Sequence, residues 1–225
     1  MEAHKAEVEL SESRYRSLED VVRDETFPAV DLALRRGVHI SQDDPEPFAF
    51  IADAQAFLEE FYRRYGCELV RSPDQFYYLV PSGDRLGRRH LSAGEMLVGQ
   101  ALALVYLDPA MLEQGGVVER AQIVSRLSSL VGDVRLVRAL NFRRRPSAER
   151  VAQEVLRTEI EKAFRSLAGL GFVELVDEVR IRLRRPVLRF ADAVRGLETP
   201  VAALERLIRE GRAIALESDV EEDTE

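Results

Sequence analysis

The sequence predicts a mainly α-helical fold finished by small β-hairpin wings, on three observations. First, within residues 147–186, Val151, Val155, Leu156, Ile160, Ala163, Phe164, Leu167 and Ala168 recur at three- and four-residue steps, the spacing of one buried helix face. Gly169 and Gly171 then permit a stop, and Phe172 to Val176 is rich in strand formers. After a turn at Asp177-Glu178, apolar Val179, Ile181 and Leu183 alternate with Arg180, Arg182 and Arg184, giving a strand with one apolar and one basic face. Helix, glycine, strand, turn, basic strand is the order in which a winged helix presents its last helix and its wing. Second, the same order occurs earlier: helix, Gly66, Glu68-Leu69-Val70, a turn, a second strand and Pro81 echo helix, Gly171, Glu174-Leu175-Val176, a turn, a second strand and Pro186. The echo is either a tandem repeat or the chance likeness of two short helix–hairpin pieces. Third, Leu91 to Leu107 is apolar over much of its helical circumference, as befits a helix buried between other elements. The expected architecture is tandem winged-helix domains.

Taken in order, residues 1–24 form a charged arm of mixed sign, either a loose helix or disordered. Residues 25–88 form the N-terminal winged-helix unit. In it Thr26 is a candidate N-cap before Pro28, and Ala29, Val30, Leu32, Ala33 and Leu34 give a short helix closed by Gly37. A second helix from about Phe48 to Tyr65 carries Phe50, Ile51, Ala54, Phe57, Leu58, Phe61 and Tyr65 at helical spacing, and a hairpin follows to Pro81. Residues 89–110 form a linking buried helix, and residues 111–189 the C-terminal winged-helix unit, with shorter helices at Val117–Leu130 and Val134–Leu140 before its long one. Residues 190–215 hold further helices, Phe190–Leu197 and Pro200–Glu210, and residues 216–225 an acidic disordered tail.

The chain has a formal charge of −8, so it does not coat nucleic acid with its whole surface. Yet Arg143 to Arg189 holds 12 Lys and Arg against 7 Asp and Glu, a basic island. Any DNA contact is therefore local. A single cysteine excludes an internal disulfide and a thiolate metal site. No signal peptide or membrane span is legible, which predicts a cytoplasmic protein without membrane contact.

Catalytic and cofactor patterns are absent from the sequence, and no cofactor or enzyme activity is expected. No phosphate-cradling glycine loop occurs. His4, His39 and His90 lie on separate segments, each a surface or packing residue. Cys67 opens a strand without a basic neighbour and reads as a buried, inert thiol, and the adjacent Glu59 and Glu60 cannot face one another. What remains is electrostatic. Arg143, Arg144, Arg145 and Arg150 at the entry to the long helix, with Arg180, Arg182, Arg184 and Arg185 along the wing, suit phosphate contacts that position without reading sequence. The plainer alternative makes them edge-strand charges and a solvated loop. On the long helix Glu161 and Arg165 are spaced to neutralise one another, which counts against a groove-reading helix.

Phe27-Pro28-Ala29-Val30-Asp31, Ala33-Leu34-Arg35, Gly37 and His39-Ile40, followed by Phe57-Leu58-Glu59-Glu60-Phe61-Tyr62 and Arg64-Tyr65, closely resemble the MukE family, accessory subunits of the bacterial MukBEF chromosome condensin. Glu68-Leu69, Phe76 with Tyr78-Leu79, Leu107 with Pro109, Leu170-Gly171, Arg189-Phe190 with Asp192-Ala193-Val194-Arg195, and Arg206-Leu207-Ile208-Arg209 extend the resemblance over nearly all of residues 27–215. The resemblance implies a non-enzymatic homodimer of tandem winged-helix protomers that binds the kleisin MukF, joins the MukB ATPase through it, and contacts double-stranded DNA at the nucleoid. Phe27, Phe48, Phe76 and Tyr78 are candidate kleisin-binding residues, although core packing competes for each. The competing function is a stand-alone winged-helix transcription regulator, which the acidic charge and the self-paired long helix disfavour.

Overall fold

The computed structural model describes residues 14–82, 86, 90–108, 115–131 and 149–193. It is built of helices and two small antiparallel sheets. The chain divides into two compact units, Met1–Arg88 and Arg89–Glu225.

In the first unit, helices α1 (Leu18–Arg23) and α2 (Phe27–Arg35) precede a two-residue strand β1 (Ile40–Ser41) and the long helix α3 (Pro45–Arg63). The hairpin β2 (Cys67–Ser72) and β3 (Phe76–Pro81) follows. Part of the region read as a charged arm is structured. Ser17 Oγ accepts from Asp20 N at 3.2 Å and so caps α1, whose Val21 is buried. Tyr15 is buried edge-on against Phe50, with ring centroids 5.8 Å apart, and its hydroxyl donates to Asp24 Oδ2 at 2.7 Å. Two apolar side chains in a charged stretch are enough to dock it. Thr26 makes no side-chain cap; its backbone N–H donates to Asp24 Oδ1 at 2.9 Å. Helix α3 begins three residues before Phe48, because Pro45 and Pro47 suit a first turn that has no use for their missing N–H groups. Its buried side is Phe50, Ile51, Ala54, Leu58 and Tyr62. Gly66, at φ +69°, turns the chain back into β2, and β1 pairs with β3 through Ile40↔Tyr77.

In the second unit, α4 (Ala93–Tyr106) leads to strand β4 (Val117–Glu119), helix α5 (Arg120–Val131), the long helix α6 (Glu149–Gly169), and the hairpin β5 (Val173–Leu175) and β6 (Arg180–Leu183). A 3₁₀ segment, Arg185–Ala193, follows. Helix α4 starts with a capping box: Ser92 Oγ accepts from Glu95 N at 3.2 Å while Ser92 N donates to Glu95 Oε2 at 2.7 Å. It packs against α6, α5 and the 3₁₀ segment, with Leu97, Val98, Leu102 and Val105 in one apolar core with Phe164, Leu167 and Phe190. Gly99 is where the 3₁₀ segment seats, since a Cβ there would stand 2.6 Å from the Phe190 ring.

Two expectations are corrected. Val117–Glu119 begins no helix; it pairs with β6 through Val117↔Arg182 and Glu119↔Arg180, and the helix starts only at Arg120. Gly115 and Gly116, both at positive φ, steer the chain into that edge position, and Gly116 O accepts from Leu183 N at 2.8 Å. The helix read from Phe190 begins earlier, at Arg185, and over its described part, Arg185–Ala193, it is 3₁₀. The stretches read as helices at Val134–Leu140 and Pro200–Glu210, and the acidic tail, lie outside the described residues.

The two sheets share one topology. In each, a short strand before the long helix lies against the second strand of the hairpin that follows it, in the orders β1-β3-β2 and β4-β6-β5. A glycine in the left-handed region follows each long helix, Gly66 after α3 and Gly171 after α6. Among the described residues no helix is long and apolar enough to cross a membrane.

Candidate nucleic-acid interface

The wing is the hairpin β5–β6. Ile181 and Leu183 face the core and Arg180 and Arg182 face out, as the period of two demands. Neither outward arginine is uncommitted. Arg180 Nε donates to Asp177 Oδ2 at 2.8 Å, and Arg182 Nη1 to Glu174 Oε2 at 2.6 Å across the strand pair. Asp177 Oδ1 also accepts from the backbone N–H groups of Val179 at 2.8 Å and Arg180 at 2.7 Å. The Arg180 side chain, then these N–H donors, hold the Asp177 carboxyl below its ordinary range. Arg184 and Arg185 leave the strand half-buried. At the tip Leu175, Val176 and Val179 are exposed.

Of the helix-entry arginines, Arg143, Arg144 and Arg145 lie outside the described residues, and Arg150 stands in the first turn of α6. The expected pair of Glu161 with Arg165 does not form. Glu161 Oε2 accepts instead from Arg120 Nη1 at 2.9 Å, and Arg165 Nε donates to the backbone carbonyl of Glu161 at 3.3 Å. Arg120 sits between wing and helix: its second Nη donates to the Asp177 carbonyl, and its backbone N–H donates to the Val179 carbonyl at 2.9 Å. Its Nε is buried without a partner. The sequence held no signal for this residue, because its partners stand 41 and 57 positions away. Arg157 and Arg165 are exposed on the outer face of α6, and Lys162 is held by Glu159 at 2.7 Å.

The four aromatic candidates all lie in the first unit. Phe27 and Phe76 are buried, Phe27 edge-on to Phe61 at 5.8 Å. Phe48 and Tyr78 are half-buried, Phe48 against Tyr77 at 5.2 Å and Tyr78 stacked on the buried His39 at 5.2 Å. Cys67 is buried, and burial pushes its thiol up although the fold brings Arg35 near it. Arg35 lies with its guanidinium 4.2 Å from the Tyr65 ring centroid while Nε donates to Asp31 Oδ1 at 2.7 Å, which fastens α2 to the end of α3. Among the described residues no three His, Cys, Asp or Glu side chains gather as a metal site.

The sequence matches the MukE-like family over residues 15–225. This chain belongs to that family. Chromosome partition protein MukE of Actinobacillus succinogenes is 38% identical over 196 residues, 85% of this chain and 79% of that protein. MukE of Mannheimia succiniciproducens is likewise 38% identical over 196 residues, covering 80% of that protein. MukE of Escherichia coli strain K12 is 35% identical over 198 residues, 87% of this chain and 84% of that protein. These relatives are named for chromosome partition, not for a reaction. In this MukE-like chain the matched region spans both sheets and both long helices.

Proposed function

We propose that this MukE-like chain is a non-enzymatic accessory subunit of a chromosome-partitioning SMC–kleisin complex at the nucleoid. Each unit is a winged-helix domain, and the chain acts as a homodimer that binds the kleisin MukF and joins the MukB ATPase through it. Double-stranded DNA is a secondary ligand, held without sequence preference by the basic island of residues 143–189. The observation that carries this reading is the kinship, over residues 15–225, with proteins named for chromosome partition. The shared sheet order of the two units supports the tandem arrangement. Of the four aromatic candidates, Phe48 and Tyr78 retain surface for the kleisin, whereas Phe27 and Phe76 are used within the core.

The test is the mass of the purified chain in solution, alone and with a MukF fragment. A dimer that takes up the fragment supports the proposal; a chain that ignores the kleisin overturns it. Tight, sequence-selective DNA binding by the isolated chain favours the transcription regulator instead.

A further inference from the structure

We propose that the DNA-facing surface of the second unit is the outer face of α6, carried by Arg157 and Arg165, and that Arg120 keeps this face available by drawing Glu161 away. This rests on the reading of DNA as a ligand and names the surface that serves it.

Arg180 and Arg182 are engaged by carboxylates of their own hairpin at 2.7 and 2.6 Å, so a phosphate must displace Asp177 or Glu174 to reach them. Arg157 is exposed and has no carboxylate partner among the described residues. Arg165 is exposed and donates only to a backbone carbonyl. Glu161 stands four residues from each, the spacing at which a helical carboxylate neutralises its neighbours. It does not do so because its Oε2 is held by Arg120, whose side chain is far less exposed than either outer arginine. The wing fixes Arg120 in turn: the Asp177 carbonyl accepts from its guanidinium and the Val179 carbonyl from its backbone N–H. Wing residues thus shape the charge of the helix without meeting the ligand.

The geometry suits a duplex. Eight residues of α-helix separate Arg157 from Arg165 by about 12 Å along the axis, close to the ~12 Å width of the major groove. The two guanidinium groups can therefore meet phosphates on opposite rims, a contact that adds affinity and carries no sequence information. Arg120 is a positioning residue here.

Titrating the full-length protein with duplexes of unrelated sequence over a salt series tests this. Arg157→Gln with Arg165→Gln is expected to weaken binding to every duplex and to flatten the log–log salt slope by about two, near one unit per phosphate lost. Arg180→Gln with Arg182→Gln is expected to leave that slope unchanged. Arg120→Met is expected to weaken binding by releasing Glu161, and Glu161→Gln added to it to restore binding, which a merely structural role for Arg120 does not predict. Thermal melting checks that each variant folds, and the exposed Arg157 and Arg165 pair decides the matter even if Arg120→Met does not fold. An unchanged slope in that pair, a loss confined to the wing pair, or failure of Glu161→Gln to rescue overturns the proposal. If the unmodified protein binds no duplex at any salt, the reading of DNA as a ligand fails first.

Discussion

Gly99, Gln100 and Gly169 differ in what surrounds them, and their substitutions should differ accordingly. At Gly99 a Cβ would press 2.6 Å from the Phe190 ring, so Gly99→Ala is expected to destabilise the protein by about 1–3 kcal/mol. At Gly169 a Cβ would meet nothing within 4 Å, and Gly169→Ala is expected to stabilise by ~0.5–1 kcal/mol through helix propensity. Both follow from urea denaturation of the full-length chain, and equal effects would contradict the packing described for α4. Gln100 is 1% exposed and both polar atoms of its amide lack a hydrogen-bond partner. Gln100→Leu removes this orphaned group at similar volume and is expected to raise stability by about 1–2 kcal/mol in the same assay. None of these three environments is legible in the sequence, since a glycine or an amide in an apolar helix reads alike whether it faces a ring, a void or solvent.

The wing and the segment around α1 each hold a carboxyl below its ordinary range, so their order is expected to depend on pH. Asp177 has its folded pKa depressed, so its support for the turn is present above the ordinary carboxylate pKa and is lost as pH falls through the depressed value. The protection of the Val179 and Arg180 amides, measured by NMR as exchange relative to the intrinsic rate at each pH, should fall in acid, and Asp177→Asn should remove that fall. Around α1, the Tyr15 hydroxyl and Thr26 N–H hold the Asp24 carboxyl low, while burial first, and Asp24 second, push the Tyr15 phenol up to about 12. A depressed acid loses its contribution as pH falls, and a raised phenol loses its contribution as pH rises from its unfolded value through the folded one. The α1 docking is therefore expected to be constant from mildly acidic to mildly alkaline solution and to loosen at both extremes, with Tyr15→Phe removing the alkaline limb. Tyrosine absorbance titration follows it directly. The long helices and both hairpins are readable from sequence because their apolar periods are local. Strands β1 and β4 are not, because two or three residues carry no period and owe their conformation to β3 and β6.

At the scale of the whole molecule, two apolar clusters with no member in common hold the two units. Leu58→Ala in the first and Phe164→Ala in the second are each expected to cost about 2–5 kcal/mol, with additive effects in the double variant because the sites share no partners. Coupling well beyond ~0.5 kcal/mol in denaturant unfolding would show that the cores are not independent. The sequence by itself determined the long helices, the glycine stops, the basic island and the kinship, all of which are written in local spacing or in collinear residue identity. The tertiary structure decided which charges of that island are spent: Arg180 and Arg182 on their own hairpin, Glu161 on Arg120 across 41 residues. Charge pairing is set by distance in space, and a strand pair or a helix packed on a wing brings together residues whose separation along the chain carries no trace of it.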